Sequence, residues 1–228
     1  MQDELKVTQP SLKVLDKGFV TLIDHMGNDL TTVNAARISF GKQKEVFDPA
    51  DEKLIKYLAE HEHTSPFRHS YMTFHVKAPI FVFRQWMKHR IASEFNEISG
   101  RYTEFSSDDF YLPFTFRKQS EVNKQGSEGE IDEVLTAKKI YKESCDSALV
   151  HYKQLLSLGV CREQARAILP VGMYSEVYWS VSLQAVAHFI RLRKDAHAQW
   201  EIQEYAKVVE TFVKNLYPVS YKYLLESV

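Results

Sequence analysis

Hydrophobic and polar positions change period several times along this chain, and each change marks an element. Val14 to Met26 reads as strand, with Lys17-Gly18 as a turn within it, and Asp29 to Ile38 reads as a short helix. Asp48-Pro49 supplies an N-cap and a first-turn proline for a helix running to about Glu60, with Leu54, Ile55 and Leu58 inward. Ser65-Pro66 stops any continuation. From Tyr71 to Val76 the period falls to two, which puts Met72, Phe74 and Val76 on one face of a strand and His75 on the other. A long helix is expected from about Ile131 to Leu158, carrying Val134, Tyr141, Cys145, Ala148, Tyr152 and Leu155 on one stripe and ending at Gly159. Arg162 to Leu169 is a short helix halted by Pro170, Tyr174 to Val181 is a strand, and Ser182 caps a helix holding Leu183, Val186, Ala187 and Ile190. A last helix spans about Ala198 to Leu216 before Pro218. The sum is an α+β chain, one domain over residues 1–228, without internal repeat; Asp108 to Glu130, with Gly126 and Gly129, reads as a variable surface loop.

The segment from Pro79 to Tyr102 carries the chemistry. Pro79 can occupy the first turn of a helix whose apolar stripe is Ile80, Phe81, Phe83, Trp86 and Met87, and helical spacing then gives Gln85, Lys88 and His89 a common face. Asn96, Ser99 and Gly100 are turn formers, so the helix is expected to run into a ligand-holding loop. Lys88-His89-Arg90 alone fits a solvated cationic helix end, where the dipole favours positive charge. Asn96, Glu97, Ser99 and Arg101 shift the reading towards an anion site, because they add a second cation, a carboxylate acceptor and fixed donors nearby.

Composition narrows the options without choosing among them. With 228 residues, 44% of them hydrophobic and 26% charged, the chain can bury a full core. A formal charge of -1 gives no global attraction to nucleic acid, so a phosphate site must be a local cluster of cations. No apolar stretch approaches the roughly 18 residues of a membrane span, and the polar start Met1-Gln2-Asp3-Glu4-Leu5-Lys6 is unlike a signal peptide, so no membrane association is expected and the expected location is the cytoplasm. The glycines form neither G-x-G-x-x-G nor a P-loop. A bound dinucleotide would therefore have its phosphates held by side chains, with Lys88, His89 and Arg90 the candidates, assisted by His63 and Ser65.

Lys88-His89-Arg90, eight further residues and Ser99, with Ser93, Asn96, Glu97, Arg101 and Tyr102 in order, resembles the flavin-dependent thymidylate synthases. Their signature is Arg-His-Arg, seven residues and Ser, in a Ser-x-Asn-Glu-x-Ser-x-Arg-Tyr setting. Here Lys88 replaces the first Arg and one residue is inserted, which is expected to bulge near Glu94-Phe95 and restore the register by Asn96. The likeness extends through Leu15-Asp16-Lys17-Gly18-Phe19-Val20, Ala35-Ala36-Arg37-Ile38-Ser39-Phe40, His63-Thr64-Ser65-Pro66-Phe67, Thr73 to Val82, Ala165-Arg166, Leu192-Arg193 and His197-Ala198-Gln199-Trp200-Glu201.

The resemblance implies a mainly antiparallel sheet flanked by helices and a homotetramer with shared active sites. It also implies a reaction: methylation of dUMP at C5 to dTMP, with 5,10-methylenetetrahydrofolate as carbon donor and NADPH, through FAD, as hydride source. For the nucleotide it points to Gln85, Trp86, Met87, Lys88, Glu97, Ile98, Ser99, Gly100, Arg101, Arg166 and Arg193. For FAD it points to His63, Ser65, Lys88, His89, Arg90, Glu97, Ser182, Leu183, Gln184 and His188. Arg193 matches the arginine that promotes ionisation at uracil N3, which a permanently charged guanidinium can do. Its position near a helix end, beside Arg191 and Lys194, would equally suit a dipole-compensating cation. Arg166 could instead pair with Glu163 on its own helix, and His188 could be a structural residue.

Other chemistries fit less well. Cys145 lies on an apolar helical stripe and is expected in the core; Cys161, before Arg162, is a weaker exclusion, and a cysteine nucleophile is not expected. Ser99 has no adjacent base and is assigned to binding. His61, His63 and His69 invite a metal reading, but Ser65-Pro66 interrupts them and no metal is expected. Two further readings stand beside the enzyme: a flavin- and nucleotide-binding homologue that has lost turnover, and a single-strand nucleic-acid module stacking bases on Trp86, Phe95 and Tyr102.

Overall fold

The computed structural model describes residues 10–106 and 109–226, so the N-terminal start and the first residue of the expected surface loop lie outside the described residues. The strand-like run beginning at Val14 is a hairpin. β1 (Ser11–Val14) turns through Leu15, at φ 57, into β2 (Gly18–Met26), and the two pair antiparallel. Gly27, at φ 83, ends β2 where an added Cβ would lie 2.6 Å from the Ser70 hydroxyl, so the position needs glycine for both its backbone and its space. Asn28 then caps α1 (Asp29–Arg37) in a reciprocal box with Thr31, and Asp48 caps α2 (Pro49–Glu60) in the same way with Asp51.

β3 (Tyr71–Pro79) buries Met72, Phe74 and Val76 completely and leaves His75 on the far face, as its alternation required. It pairs with β2 on one side and with β7 (Tyr174–Ser182) on the other, Tyr71 opposite Ser182 and Pro79 opposite Tyr174. With β4 (Ser93–Glu97) at its far edge, the five-stranded antiparallel sheet has the order β1-β2-β3-β7-β4. One face packs on α3 (Ile80–Trp86), α6 (Leu183–Arg193) and α7 (Trp200–Leu216), with Trp86, Trp179, Phe189, Tyr205 and Phe74 as the large buried side chains. Aromatic stacking at 4.7 Å between Trp86 and Phe189, and edge contact at 5.0 Å with Trp179, seal this layer. The opposite face carries a polar row: His75 contacts Glu176 at 2.9 Å and stacks on Tyr178, and Lys77 reaches both Glu176 and Asp109.

α4 (Val134–Ser157), four residues of α5 (Arg162–Ala165) and the turn after them bury Cys145, Leu149, Tyr152, Ala165 and Met173 as a second cluster. Two expectations are corrected. Residues expected as loop contain an antiparallel pair, β5 (Arg117–Gln119) and β6 (Ser127–Glu130), anchored by Arg117, which pairs with the buried Glu201 at 2.8 Å. Beyond Pro218 the chain does not stop being helical: α8 (Pro218–Tyr221) and a wide π turn over Lys222–Glu226 follow. Asp29 accepts the amides of Val219 and Ser220, so this end is tied to the first helix. Among the described residues no helix is long and apolar enough to cross a membrane.

Candidate active site

The signature segment is shorter as a helix than its pattern suggested. α3 ends at Trp86, and the Lys88 and His89 amides tighten onto the carbonyls of Gln85 and Trp86, so these two residues lie beyond the helix. Beyond the turn comes β4 (Ser93–Glu97), an edge strand where a ligand loop was expected. Its ladder with β7 runs from Ser93–Val181 to Glu97–Val177 without a shift, so the bulge expected at Glu94-Phe95 is not there. The chain takes its unusual turn upstream instead, at Ala92, whose φ is 49. Two contacts override the turn-forming composition: Trp179 donates its indole N–H to Ser93 at 2.7 Å, and Phe95 stacks parallel on Trp179.

At the start of β4 lies a cavity of about 440 Å³ lined by Lys88, His89, Arg90, Ala92, Gln184, His188 and Arg193. Arg193, the last residue of α6, donates from Nε to His89 Nε2 at 2.9 Å and from Nη2 to the Gln85 carbonyl at 3.2 Å. Burial, then Arg193, then His188 hold the His89 imidazole down at about 4, so it is neutral at pH 7. Burial, with Arg191 and Arg193 beside it, also lowers His188. Burial lowers Arg193 too, from a starting value high enough that it stays charged. On the other side of Gln184 and His188, a larger hollow of about 580 Å³ includes Thr64, Arg191 and Tyr223. Arg68 hydrogen-bonds Gln184 and reaches Thr64 at 3.4 Å. Among the described residues none of Arg68, Lys88, Arg90, Arg191 and Arg193 has a carboxylate partner. Lys88, Arg90 and Arg193 line the first hollow with no carboxylate beside them and make a site for an anion, whereas the larger hollow sets Arg191 among Glu60 and Glu62.

At the far end of β4 is a third cavity, of about 300 Å³, lined by Ile80, Glu97, Ile98, Ser99, Gly100, Arg166 and Ser175. Glu97 accepts from the Ser175 hydroxyl at 2.6 Å, and the Ser99 hydroxyl accepts the Arg101 amide at 3.2 Å. A Cβ on Gly100 would meet the Phe105 ring at 2.5 Å and the Arg166 chain at 3.2 Å, so glycine lets the backbone approach Arg166 closely. Arg166 does not pair with Glu163, which bonds Arg101 at 3.4 Å instead, and its guanidinium is left for a ligand.

The expected site residues thus fall into two groups. Lys88, His89, Arg90, Gln184, His188 and Arg193 share one cavity, and Glu97, Ile98, Ser99, Gly100 and Arg166 share the other, with Arg101 beside the latter. Between them runs the five-residue β4, about 14 Å of strand. The side chains of Trp86 and Leu183 are fully buried in the core, so a ligand could meet only their main chain. Ser182 is buried as well, capping α6 through the Ala185 amide. Gln85 donates its side-chain amide to Gln199 at 2.6 Å, and Met87 packs against the core. His63 meets the Tyr57 ring edge-on at 5.8 Å, and Thr64, between it and Ser65, is the residue that lines the hollow. Of the proposed base-stacking trio, Trp86 is buried and Phe95 covers Trp179, leaving only Tyr102 exposed. Cys145 is buried, and burial raises its thiol, while Cys161 is exposed. The pattern gave no warning of Arg68, whose partner Gln184 is 116 positions away.

Comparisons with known proteins point the same way. Residues 21–219 match the family described as thymidylate synthase complementing protein. A flavin-dependent thymidylate synthase of Kosmotoga olearia is 46% identical over 216 residues, covering 94% of this chain and 93% of that protein. One from Thermus thermophilus is 47% identical over 214 residues, covering 92% and 77%. The crystal structure of a UMP/dUMP methylase from Streptomyces cacaoi, bound with 5-bromo-dUMP, superposes with a TM-score of 0.85 at 33% identity over 94% of this chain and 97% of that one.

Proposed function

The chain belongs to the flavin-dependent thymidylate synthases, and from that premise we propose that it methylates dUMP at C5, using FAD, NADPH and 5,10-methylenetetrahydrofolate. The overall change is balanced: the methylene carbon and two reducing equivalents from NADPH and a proton make the methyl group, leaving dTMP, tetrahydrofolate and NADP⁺. FAD, when bound, carries the hydride between NADPH and the transferred carbon.

The observation that carries this reading is the uncompensated cationic cavity around Arg193. Lys88, Arg90 and Arg193 suit an anionic ligand, and Gln184 and His188 add neutral hydrogen-bonding groups for the flavin. Arg193 stabilises negative charge on the uracil as N3 gives up its proton, and the dry aromatic layer beneath it strengthens that interaction. Arg166 with the Ser99–Arg101 turn holds the nucleotide phosphate by forked donors and main-chain amides, and Glu97 accepts N–H groups.

Because these two groups lie about 14 Å apart along β4, one chain does not offer both to a single small nucleotide. We therefore propose a homotetramer in which one subunit's Arg193 cavity faces another's Ser99–Arg166 cavity, with the whole chain as one domain. The half-buried polar face of the sheet and the exposed side chains Ile38, Phe40 and Val46 support such contacts. Turnover is favoured over a degenerate binding homologue because the extra residue leaves the β4 ladder regular.

Anaerobic mixing tests the proposal. NADPH should bleach the flavin absorbance of the FAD-loaded protein, and methylenetetrahydrofolate should restore it only when dUMP is present. Reoxidation indifferent to dUMP would count against the assigned reaction.

A further inference from the structure

The last helical residue of α6 is held in place by neutral acceptors. Arg193 is half-buried, and of its five N–H groups two are engaged, one by the ring nitrogen of His89 and one by the Gln85 carbonyl on the last turn of α3. Every charged or titratable group bearing on that pair is basic: Arg193 and His188 from α6, Arg191 in contact with His188 at 3.4 Å, and Lys88 and Arg90 on either side of His89 in the chain. A carboxylate would orient an arginine more strongly, but it would also cancel the charge that the arginine presents to a ligand. An imidazole accepting through Nε2 orients without cancelling, provided the ring is neutral and carries its proton on Nδ1.

We infer that His89, as the Nδ1–H tautomer, is a positioning residue that fixes the Arg193 guanidinium while leaving it fully cationic. The inference rests on the proposed reaction for its consequence, since the oriented charge is the one assigned to the uracil ring. It does not rest on it for the pairing itself. The Phe189 ring, edge-on to His89 at 5.2 Å, fixes the imidazole plane, and the His89 amide bonded to the Trp86 carbonyl fixes its main chain. His89 therefore acts through Arg193, whatever contact it also makes with the flavin.

Two measurements decide the matter. In FAD-loaded protein with ¹⁵N-histidine, assigned by loss of its signal in His89→Gln, His89 should appear at pH 7 as the neutral Nδ1–H tautomer with a hydrogen-bonded Nε2. That Nε2 signal should shift in Arg193→Leu. A charged ring, the Nε2–H tautomer, or a signal indifferent to Arg193→Leu would overturn the inference, and none of these depends on turnover. In turnover at saturating FAD and dUMP, His89→Leu should lower kcat by about 10- to 100-fold, the scale of a misplaced catalytic group. Glutamine, whose Oε1 can stand where Nε2 does, should recover most of that loss. His89→Leu should cost little more in an Arg193→Leu background, because the two act as a unit. Additive losses, or no rescue by glutamine in protein that keeps its flavin, would contradict it. A wild-type protein without turnover would count against the proposed function alone, and the spectra would still decide the pairing.

Discussion

Trp86, Lys88 and His89 stand within four positions of one another and do three different jobs. The resemblance grouped Trp86 with the nucleotide ligands, but its ring is buried among Phe189, Trp179 and Tyr205. Trp86→Ala should therefore destabilise the fold by about 3–5 kcal/mol, read from a denaturant midpoint; a loss of nucleotide affinity with unchanged stability would contradict the burial. Lys88 is exposed and unpaired by any carboxylate among the described residues, so its charge is available but lacks a fork. Lys88→Arg should lower the KM for dUMP by about tenfold or more, since one hydrogen bond to a charged group contributes about 1.5–3 kcal/mol. For His89, the sign of the pH effect follows from its depressed value of about 4. The unfolded ring takes up a proton near pH 6.5 and the folded one does not, so stability falls as pH drops through the window from 6.5 to about 4. The charged signature was legible in the sequence; that its histidine is neutral and bonded to Arg193, 104 positions later, was not.

At the scale of elements, local rules worked where the signal was local. The caps at Asp48 and Ser182 and the period-two face of β3 sit where the pattern put them, because each depends on residues within one turn or one strand. β4 failed for the converse reason: Asn96, Ser99 and Gly100 pointed to a loop, and pairing with β7 makes Ser93–Glu97 an edge strand. The same override hid the β5–β6 pair, whose anchor, Arg117 on Glu201, spans 84 positions. Element ends also depend on buried charge. Asp51, at the start of α2, is pushed up by burial, but the Asp48 amide, Lys44 and Arg37 together hold its carboxyl below the usual range. Its contribution to stability is present above about pH 4 and declines as pH falls below that value. Asp51→Ala should cost roughly 3 kcal/mol or more, because two cations lose a buried partner; a neutral result in chemical denaturation would show that the pairing adds nothing.

For the whole molecule, the family and its α+β class could be inferred from motifs spread over most of the chain, whereas the division of the site could not. Sequence order puts Lys88 and Ser99 close together; β4 separates them by its own length and gives them to different cavities. If two chains complete one site, co-expressed Arg166→Ala and Arg193→Ala subunits should regain turnover that neither variant has alone, through mixed tetramers with one intact site. Failure to regain it in mixtures shown to contain both chains would place both arginines in one subunit's site. Reductive methylation of dUMP can be followed as dTMP formation with NADPH and methylenetetrahydrofolate, using protein loaded with FAD and protein stripped of it. The loaded protein should form dTMP, the stripped protein should form none, and restoring FAD should recover it. A folded, FAD-bound protein that makes no dTMP, or one that makes it equally well without the flavin, would contradict the assigned reaction.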